Sequence, residues 1–511
     1  MSVLAVNAGI GELPLVEEMP SSLDVFDSLR ALRQVWPSTL LVALESTLFH
    51  PELGRYSYVT CDPFWIYEQP EAEYGLQPFV ELRKKLQQYH ADTLPDLPPF
   101  QGGLVGLLGY ELGRCWERVP VAKWDEFRLP VLHAGLFDWT LAWDHAAQRC
   151  WLISHGFPAH SASQRRKRAA QRLAQVKACL QKAVEHQYSS AFKRTKDTNT
   201  QAAFSVCRSN QQLGGHCERF RPGPETLKPV TAIDGLFSDF SQDEYVRMVE
   251  RVIQYIYAGD IFQANVSQRL LFRWWSSPLE LYRRLRKANP APFAGLYWSS
   301  DWAVVSASPE RFLQVTQGWV ETRPIKGTAA RADSAEADVA ARASLMQSQK
   351  DVAENLMIVD LLRNDLSRVC RPGTVRVAEL CRLETYETVH HLVSVVKGQL
   401  RAEHDLWDLL RACFPGGSVT GAPKIRAMEI IAELEPTVRG PYCGSLFWAG
   451  LNGNLDSNIL IRTFVQKSNW VQCSVGGGVV AQSAPQAEYN ETLHKAAGML
   501  RSVFHDREFK Y

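Results

Sequence analysis

Hydrophobic and polar positions along this chain predict strands and helices in a mixed order, without a regular βαβ repeat. Residues 43–46 and 55–59 are predicted to form two strands, and residues 79–89 a short amphipathic helix. Residues 134–154 have the pattern of a hairpin that turns near Asp144. We therefore expect an α+β fold, a layered α/β sandwich of large mixed or antiparallel sheets flanked by helices.

The second half of the chain carries the clearer signals. In residues 312–321, apolar and polar side chains alternate around a Thr-Gln-Gly turn, which predicts a β-hairpin. Ser241, followed by Glu244 three residues later, forms a capping-box pattern that begins a predicted helix ending near Ala258. Another helix is expected to begin just after Pro485.

Two glycine-rich segments interrupt these patterns. The run 102–110 predicts bulges or a close backbone approach rather than a regular element. Gly476, Gly477 and Gly478 follow a predicted strand, 470–475, and their backbone N–H groups could hold an anion if they form a loop. A tight bend of the strand would explain the same glycines.

Composition divides the chain into three segments. Residues 1–155 form a predicted N-terminal α+β part. Residues 156–232 contain a basic helix over 161–187, whose cationic face is expected to be solvated, and then a stretch poor in apolar residues over 188–232. We expect this segment to be a basic helical and flexible insertion or linker. Residues 233–511 carry the denser motifs and form the predicted catalytic domain.

Charge and composition limit the partners and the compartment. Lys and Arg number 56 and Asp and Glu 55, so nothing in the charge balance favours nucleic acid or an acidic membrane as a partner. No apolar run approaches the roughly 20 residues that span a bilayer, and the N-terminus lacks the pattern of a secretory signal. The 11 scattered Cys residues, without a C-x-x-C pair, favour reduced thiols and a cytoplasmic protein over a disulfide framework or a zinc site.

Lys326 is the most suggestive single residue. The run 324–328 places its amine on a predicted tight turn, between a rigid Pro and a permissive Gly, and such a lysine is a nucleophile if its charge is suppressed. A solvated surface lysine is the default alternative. Glu310 would reach the same pocket if a hairpin joins the two, which would combine acid–base with nucleophilic chemistry. Alternatively, Glu310 is a surface carboxylate or the partner of Arg311.

Two pairs of carboxylates have helical spacing. Asp351 and Glu354 are three residues apart, as are Glu488 and Glu491, so each pair would lie on one face of a helix. Four carboxylates without His or Cys partners suit a hard cation such as Mg²⁺. Ordinary solvated helix faces are the alternative unless the two pairs converge.

Arg462 is a candidate anion ligand. It ends an apolar predicted strand, 458–461, and an arginine in such a place is suited to bind a carboxylate bidentately. Tyr442 and Lys495 could join it. The run 416–424 is superficially similar to a phosphate loop, but two residues separate its last Gly from its Lys, so nucleotide binding has little support.

Several long runs in the second half follow the order typical of a known family. They are Ser306–Phe312, Asp360–Leu366, Gly416–Lys424, Arg439–Gly444 and Gly476–Lys495. On these runs the chain, from about residue 237 to 505, resembles the chorismate-utilising enzymes, which include anthranilate, aminodeoxychorismate, isochorismate and salicylate synthases. The first half is more weakly similar, through residues 44–46, 55–57 and 102–110.

The residue at position 326 separates activities within this family. Anthranilate synthases typically carry Ala there and aminodeoxychorismate synthases Lys, so the resemblance implies amination of chorismate at C4. It implies Lys326 as the nucleophile and Glu310 as the acid that protonates the departing hydroxyl.

The resemblance also implies ligands for a metal and for the substrate. Mg²⁺ would be bound by Glu354 and Glu491, with Asp351 and Glu488 as outer or water-mediated ligands. The residues that would bind or line the site of the chorismate anion are Arg462, Tyr442, His391, Ser418, Gly476, Gly477, Gly478 and Lys495.

Partners follow from the same resemblance. The chain has no Gly-x-Cys-x-Gly elbow of a glutaminase, so ammonia would come from solution or from a separate glutaminase subunit. Glu45 and Ser46 lie in a segment similar to the tryptophan-binding element of relatives, so they are candidates for binding tryptophan. Two other functions stay open: an anthranilate synthase component I with an unusual Lys, and a non-catalytic regulator that binds chorismate or tryptophan.

Overall fold

Two large sheets lie at the centre of the computed structural model of the chain. The structure describes residues 14–50, 53–194, 222–230, 233–332, 334–386 and 389–504. Strands β1 to β23, in chain order, are Leu15–Met19, Leu41–Glu45, Tyr56–Cys61, Trp65–Gln69, Gly103–Leu108, Leu132–Phe137, Trp139–Asp144, Arg149–Ser154, Lys228–Pro229, Leu236–Ser238, Gln263–Arg273, Phe293–Trp298, Trp302–Ser308, Arg311–Thr316, Trp319–Thr322, Ile325–Ala330, Arg376–Thr385, Val389–Gln399, Gly421–Ala422, Ser445–Gly450, Leu455–Asn458, Thr463–Lys467 and Trp470–Val479.

Ten α-helices in the described residues accompany these strands. Helices α1 to α10 are Val25–Val35, Val80–Gln88, Ala162–Arg194, Gln242–Tyr257, Pro278–Ala288, Ala335–Gln347, Gln349–Ser367, Leu406–Cys413, Lys424–Leu434 and Pro485–Arg501. Short 3₁₀ helices are Tyr110–Cys115, Pro224–Thr226 and Gly417–Val419. None of the helices in the described part of the chain is both long enough and apolar enough to cross a bilayer.

Each sheet takes strands from both halves of the sequence. One has the order β1-β8-β7-β3-β2-β12-β13-β22-β23-β11-β10-β9, with β19 also on β11. The other has the order β16-β18-β15-β14-β21-β20-β5-β6-β4, with β17 also on β18. The pairs between these strands are antiparallel, which confirms the predicted α+β fold. The three-segment division of the sequence stays a prediction about domains.

The two sheets pack face to face, with helices outside them. Tyr58 of β3 and Trp448 of β20 meet between the sheets, with ring centroids 6.2 Å apart, in a core that both sheets supply. Helices α1, α3, α5 and α10 cover the outer face of the first sheet, and α2, α7 and α8 cover that of the second. Burial of these apolar side chains is the main stabilising contribution to the layered arrangement.

Several predicted elements are confirmed with small shifts at their ends. The hairpin over 312–321 is β14 and β15. Helix α4 begins after Ser241, whose hydroxyl accepts from the backbone of Glu244 in a capping box. Helix α10 begins at Pro485, as expected.

The prediction of an irregular element over 102–110 is wrong, but the predicted close backbone approach is confirmed at Gly103, where a Cβ would lie 2.2 Å from the carbonyl oxygen of Ala449. Most of this run is the regular strand β5, which pairs with β20 on one side and β6 on the other. A Cβ on Gly106 would lie 2.6 Å from the ring of Phe447. Glycine therefore makes room for an aromatic neighbour within a regular strand, and does not interrupt it.

The basic helix of the insertion is confirmed as α3, but its cationic face is only partly solvated. Arg168 donates to the backbone carbonyl of Phe157 at 2.7 Å, and the buried Arg172 pairs with Asp62 at 2.8 Å. These contacts fasten the helix to the first sheet. Most of the predicted flexible part of the insertion lies outside the described residues.

Candidate active site

Lys326 lies in β16, at a bulge opposite β18. The register between the strands shifts between Ile325 and Thr328. Gly327, next to Lys326, has φ +85°, and a Cβ there would lie 3.0 Å from the Cβ of Asp351. Glycine therefore permits both the bulge and the close approach of α7. The predicted tight turn is wrong: the amine is presented by a bulge within a strand.

Ser418 links Lys326 to Glu310. The Nζ atom of Lys326 donates to the backbone carbonyl of Ser418 at 3.1 Å, and the Ser418 hydroxyl donates to Oε1 of Glu310 at 2.8 Å. Glu310 immediately precedes β14, and Lys326 follows β15. The intervening hairpin therefore brings both residues to its open end, and both side chains reach one pocket.

Burial shifts the pKa of both groups towards the neutral form. It raises the pKa of Glu310 to about 7, although the Ser418 hydroxyl and the charge of Lys326 oppose the shift. It also lowers the pKa of Lys326, against the opposing charges of Glu354 and Glu310. A protonated carboxyl and an uncharged amine are the forms needed for a general acid and a nucleophile.

The glycines at 476–478 lie inside β23, so the predicted loop is wrong, and anion binding by these glycines stays a prediction. They pair in regular antiparallel register with residues 265–267 of β11. A Cβ on Gly476 would lie 2.3 Å from the carbonyl oxygen of Val266. These glycines are thus required by the close approach of neighbouring groups rather than by a turn.

Three carboxylates converge on two of these glycines. A Cβ on Gly477 would lie 3.3 Å from Oε2 of Glu488 and 3.5 Å from Oε1 of Glu491. A Cβ on Gly478 would lie 3.6 Å from Oε2 of Glu354. Glu354 of α7 and the pair Glu488 and Glu491 of α10 therefore meet at β23. We refer to Glu354, Glu488 and Glu491 as the carboxylate cluster.

Lysines lie among the carboxylates of this cluster. Lys495 pairs with Glu491 at 2.7 Å and donates to the carbonyl oxygen of Gly476 at 2.9 Å. Lys350 approaches Glu488 at 3.6 Å. Burial raises the pKa of Glu491, but Lys495 and the other lysines outweigh it, so the net shift is downward. The cluster is compensated by positive charge from the chain itself.

The donor set fits a hard divalent cation. No group of three or more His, Cys, Asp or Glu side chains within the described ranges already has the arrangement of a metal site. The carboxylate cluster nevertheless offers three oxygen-donor side chains close to Gly477 and Gly478, which is the chemistry Mg²⁺ prefers. Asp351, the fourth predicted ligand, lies next to Gly327, where its Cβ is 3.0 Å from the position a Cβ of Gly327 would take.

Arg462 and His391 form an anion-binding corner of the cleft. Arg462 lies in the connection from β21 to β22 with φ +50°, not at the end of a strand as predicted. Its guanidinium has no hydrogen-bond or ion-pair partner among the residues that the structure describes, and burial lowers its pKa. Burial, with the nearby charge of Arg462, lowers the pKa of His391 to about 4. Its Nδ1 lies 2.8 Å from the Thr328 hydroxyl. A cation without a partner beside a neutral imidazole is suited to receive a carboxylate.

Tyr442 lies near the chain segment that leads to Arg462, because the backbone N–H of Cys443 donates to the carbonyl of Leu460 at 2.9 Å. Its side chain is buried, and its ring lies 5.7 Å from the guanidinium of Arg439. The charge of Glu310 contributes to the raised pKa of Cys443. The structure thus places Tyr442 between the segment of Arg462 and the acid Glu310, and no hydrogen bond in the described residues joins its side chain to that of Arg462.

Glu45 and Ser46 line a separate cavity of about 120 Å³ between the two sheets. The carboxylate of Glu45 accepts from the Tyr282 hydroxyl and pairs with Arg286. The Ser46 hydroxyl donates to the carbonyl of Pro292 at 2.7 Å. The apolar and aromatic side chains of the wall are Leu44, Tyr58, Phe293, Leu446 and Trp448. Tryptophan binding here stays a prediction.

Two residues of the cleft were not predicted from the sequence. Gln263 of β11 is 1% exposed, and its Nε2 lies 1.9 Å from the position a Cβ of Gly478 would take. Its Oε1 has no hydrogen-bond partner among the described residues. No signal marks this glutamine in a buried strand. Lys350 could have been noticed, because it directly precedes Asp351 in a helix that carries two candidate ligands.

Comparison with known proteins gives consistent similarities over most of the chain. Residues 62–501 match the chorismate binding enzyme family. Aminodeoxychorismate synthase component 1 of Klebsiella aerogenes is 38% identical over 442 residues, which cover 86% of this chain and 83% of that protein. Anthranilate synthase component 1 of Acetivibrio thermocellus is 33% identical over 511 residues, which cover 96% and 95%.

Solved structures show the same architecture. Anthranilate synthase component I from Streptococcus pneumoniae TIGR4 superposes with a TM-score of 0.67 at 28% identity, covering 89% of this chain and 94% of that one. The menaquinone-specific isochorismate synthase of Escherichia coli superposes with a TM-score of 0.66 at 17% identity, covering 96% of this chain and 94% of that one, and shares the fold.

Proposed function

Because the chain belongs to the family of chorismate binding enzymes, we propose that it aminates chorismate at C4, the activity of the aminodeoxychorismate synthases. The observation that carries the proposal is the link from Lys326 through Ser418 to Glu310. It supplies an amine and a carboxylic acid in one buried pocket, both with pKa values shifted towards the reactive form.

The residues account for a two-step exchange. The neutral amine of Lys326 attacks C2 of chorismate, both conjugated double bonds of the ring shift by one position, and the C4 hydroxyl leaves as water with a proton from Glu310. The new secondary amine returns one proton to Glu310. Ammonia then attacks C4, both double bonds shift back, and Lys326 leaves C2 as a free amine after proton transfer from the incoming nitrogen. In sum, chorismate and ammonia give aminodeoxychorismate and water.

The anion-binding groups orient the substrate for this attack. Arg462 is proposed to bind the enolpyruvyl carboxylate, because it is a half-buried cation without a partner in the described part of the chain, and His391 lies beside it. Tyr442 is proposed to complete the same subsite. Lys495, near Gly477, would face the remaining charge of the bound anion.

The carboxylate cluster is proposed to hold Mg²⁺. Glu354 and Glu491 would be direct ligands, and Asp351 and Glu488 outer or water-mediated ones. When bound, the ion would offset the charge of the ring carboxylate and make the diene a better electrophile.

Ammonia is proposed to come from a separate glutaminase subunit. Curated relatives of this chain are named component 1, which implies a second component. The product would then serve the formation of p-aminobenzoate for folate synthesis after removal of pyruvate by a lyase.

Anthranilate synthase is the second candidate function. Anthranilate synthases are similar to the chain at 33% to 38% identity, a range that overlaps that of the aminodeoxychorismate synthases. Lys326 favours C4 amination, because an amine that attacks C2 occupies the position that anthranilate formation requires for ammonia. A purely regulatory protein would not need the acid, the amine and the carboxylate cluster together.

One incubation distinguishes these functions. The protein is mixed with chorismate, Mg²⁺ and ammonium at neutral pH, and the products are followed by mass and by fluorescence, with and without an aminodeoxychorismate lyase. We expect a non-fluorescent product with the mass of aminodeoxychorismate, converted to p-aminobenzoate only when the lyase is present. Direct formation of fluorescent anthranilate would identify the second function, and no turnover would favour the regulatory one.

A further inference from the structure

Lys350 connects the two helices that carry the carboxylate cluster. It lies in the first turn of α7, four residues before Glu354, and its Nζ is 3.6 Å from Oε1 of Glu488 on α10. The Lys350 side chain is 50% exposed, whereas that of Glu488 is 5% exposed. A flexible, strongly hydrated ammonium therefore reaches from solvent to a buried carboxylate.

Lys350 is held less firmly than the other two lysines of the cleft. Lys495 makes contacts of 2.7 Å to Glu491 and 2.9 Å to the carbonyl of Gly476, and Lys326 donates to a backbone carbonyl at 3.1 Å. The 3.6 Å approach of Lys350 is longer than any of these. If the Lys350 side chain withdrew into water, its contact with Glu488 would be lost, which is the longest of these lysine contacts.

A divalent cation at the carboxylate cluster would lie close to these ammonium groups. Like charges a few ångströms apart repel strongly in a partly buried site, so binding favours departure of the most mobile one. We propose that Lys350 is an internal counter-ion, which neutralises the carboxylate cluster in the metal-free protein and leaves it when the cation binds. This inference rests on the proposed Mg²⁺ site, and it assigns to Lys350 control of the metal affinity.

The test is a titration of Mg²⁺ alone into the metal-free full chain, followed by calorimetry and repeated with Mn²⁺ followed by its free-ion EPR signal. The proteins are the wild type, Lys350→Arg, Lys350→Met and Lys350→Glu. We expect Lys350→Arg to resemble the wild type, Lys350→Met to bind about fivefold more tightly, and Lys350→Glu more tightly again. The thermal midpoint in EDTA is expected to fall in Lys350→Met and to rise more on addition of Mg²⁺ than in the wild type.

A matched control separates the local effect from net charge. Lys177, on α3, pairs with Glu17 at 2.7 Å far from the cleft, and Lys177→Met removes the same charge. The inference is overturned if Lys350→Met binds Mg²⁺ with equal or lower affinity, which would make Lys350 a support for Glu488, or if Lys177→Met tightens binding as much. If none of the proteins binds the cation saturably, the proposed metal site itself fails, and the inference fails with it.

Discussion

The catalytic cleft and the cavity at Glu45 and Ser46 both contain buried charged groups, but they differ in whether those groups have partners of opposite charge. In the cavity, every charged residue of the wall contacts an opposite charge. The pairs are Glu45–Arg286, Arg55–Asp144 and Arg311–Asp456. In the cleft, Glu310, Lys326 and Arg462 have no ion-pair partner among the described residues.

The difference indicates which charged residues stabilise the fold and which are available to react. A paired buried charge joins elements of the fold, and its removal leaves the partner uncompensated. A buried group without such a partner shifts its pKa towards neutrality, and a neutral amine or a protonated carboxyl can react. Substitutions in the two regions are therefore expected to change different observables.

Lys326→Ala should have the largest effect on turnover. Without the nucleophile we expect C4 amination to fall by about a thousandfold or more, and anthranilate to become detectable because ammonia can then attack C2 directly. Product mass and fluorescence measure both changes. Mass spectrometry of the denatured wild type in the presence of chorismate, without ammonia, should show a covalent adduct. An adduct-free wild type together with a fully active Ala variant would contradict the covalent route.

Glu310→Gln should have the second largest effect, a loss of about a hundredfold to a thousandfold in turnover. The wild type is expected to lose activity as the pH rises through about 7, since Glu310 must carry a proton to act as an acid. Measured pH profiles of kcat/KM should show that the Gln variant lacks this basic limb. A basic limb that persists in Glu310→Gln would assign the titration to another group.

Ser418→Ala should have a smaller effect, about tenfold on kcat with little change in KM. The Ser418 hydroxyl opposes the rise in the pKa of Glu310, so its loss should raise that pKa further and move the basic limb to higher pH. The conservative variant Ser418→Thr keeps a hydroxyl and should restore the wild-type profile. A lower rate with an unmoved limb would show that Ser418 acts only through packing.

Glu45→Gln should have the smallest effect on turnover, less than about twofold for the folded protein. It should instead lower the free energy of unfolding by about 2–3 kcal/mol, because the charge of Arg286 loses its partner. Urea denaturation measures the stability, and kinetics below the transition measure activity. A large loss of turnover at unchanged stability would break the distinction between the two regions.

Local patterns in the sequence are sufficient to predict much of the chemistry. The hairpin over 312–321 places Glu310 and Lys326 at one end, because two antiparallel strands return the chain to where it began. A spacing of three residues places each carboxylate pair on one face of a helix. These relationships depend only on neighbours in sequence, so periodicity is enough to find them.

Other features have no counterpart in local patterns. The glycines of β23 resemble a loop in the sequence, because a glycine that admits a neighbouring side chain has the same signature as one that turns the chain. Gln263 acquires its position from strand pairing with Ala422, and Ser418 from a 3₁₀ segment that is distant in sequence from Glu310 and Lys326. Arg462 does not lie at a strand end as predicted. Its backbone is left-handed, and the apolar residues before it contain no pattern that predicts this conformation.

The sequence by itself determined which groups are available: an amine, an acid, two carboxylate pairs and an arginine, in runs that identify the family. Only the tertiary structure decided that α7 and α10 meet at β23 and that Lys326 touches Ser418. The physical reason is that side-chain type and local periodicity are properties of neighbouring residues. Burial, pairing and the resulting pKa shifts arise instead from strands and helices that are distant in sequence and packed together in space.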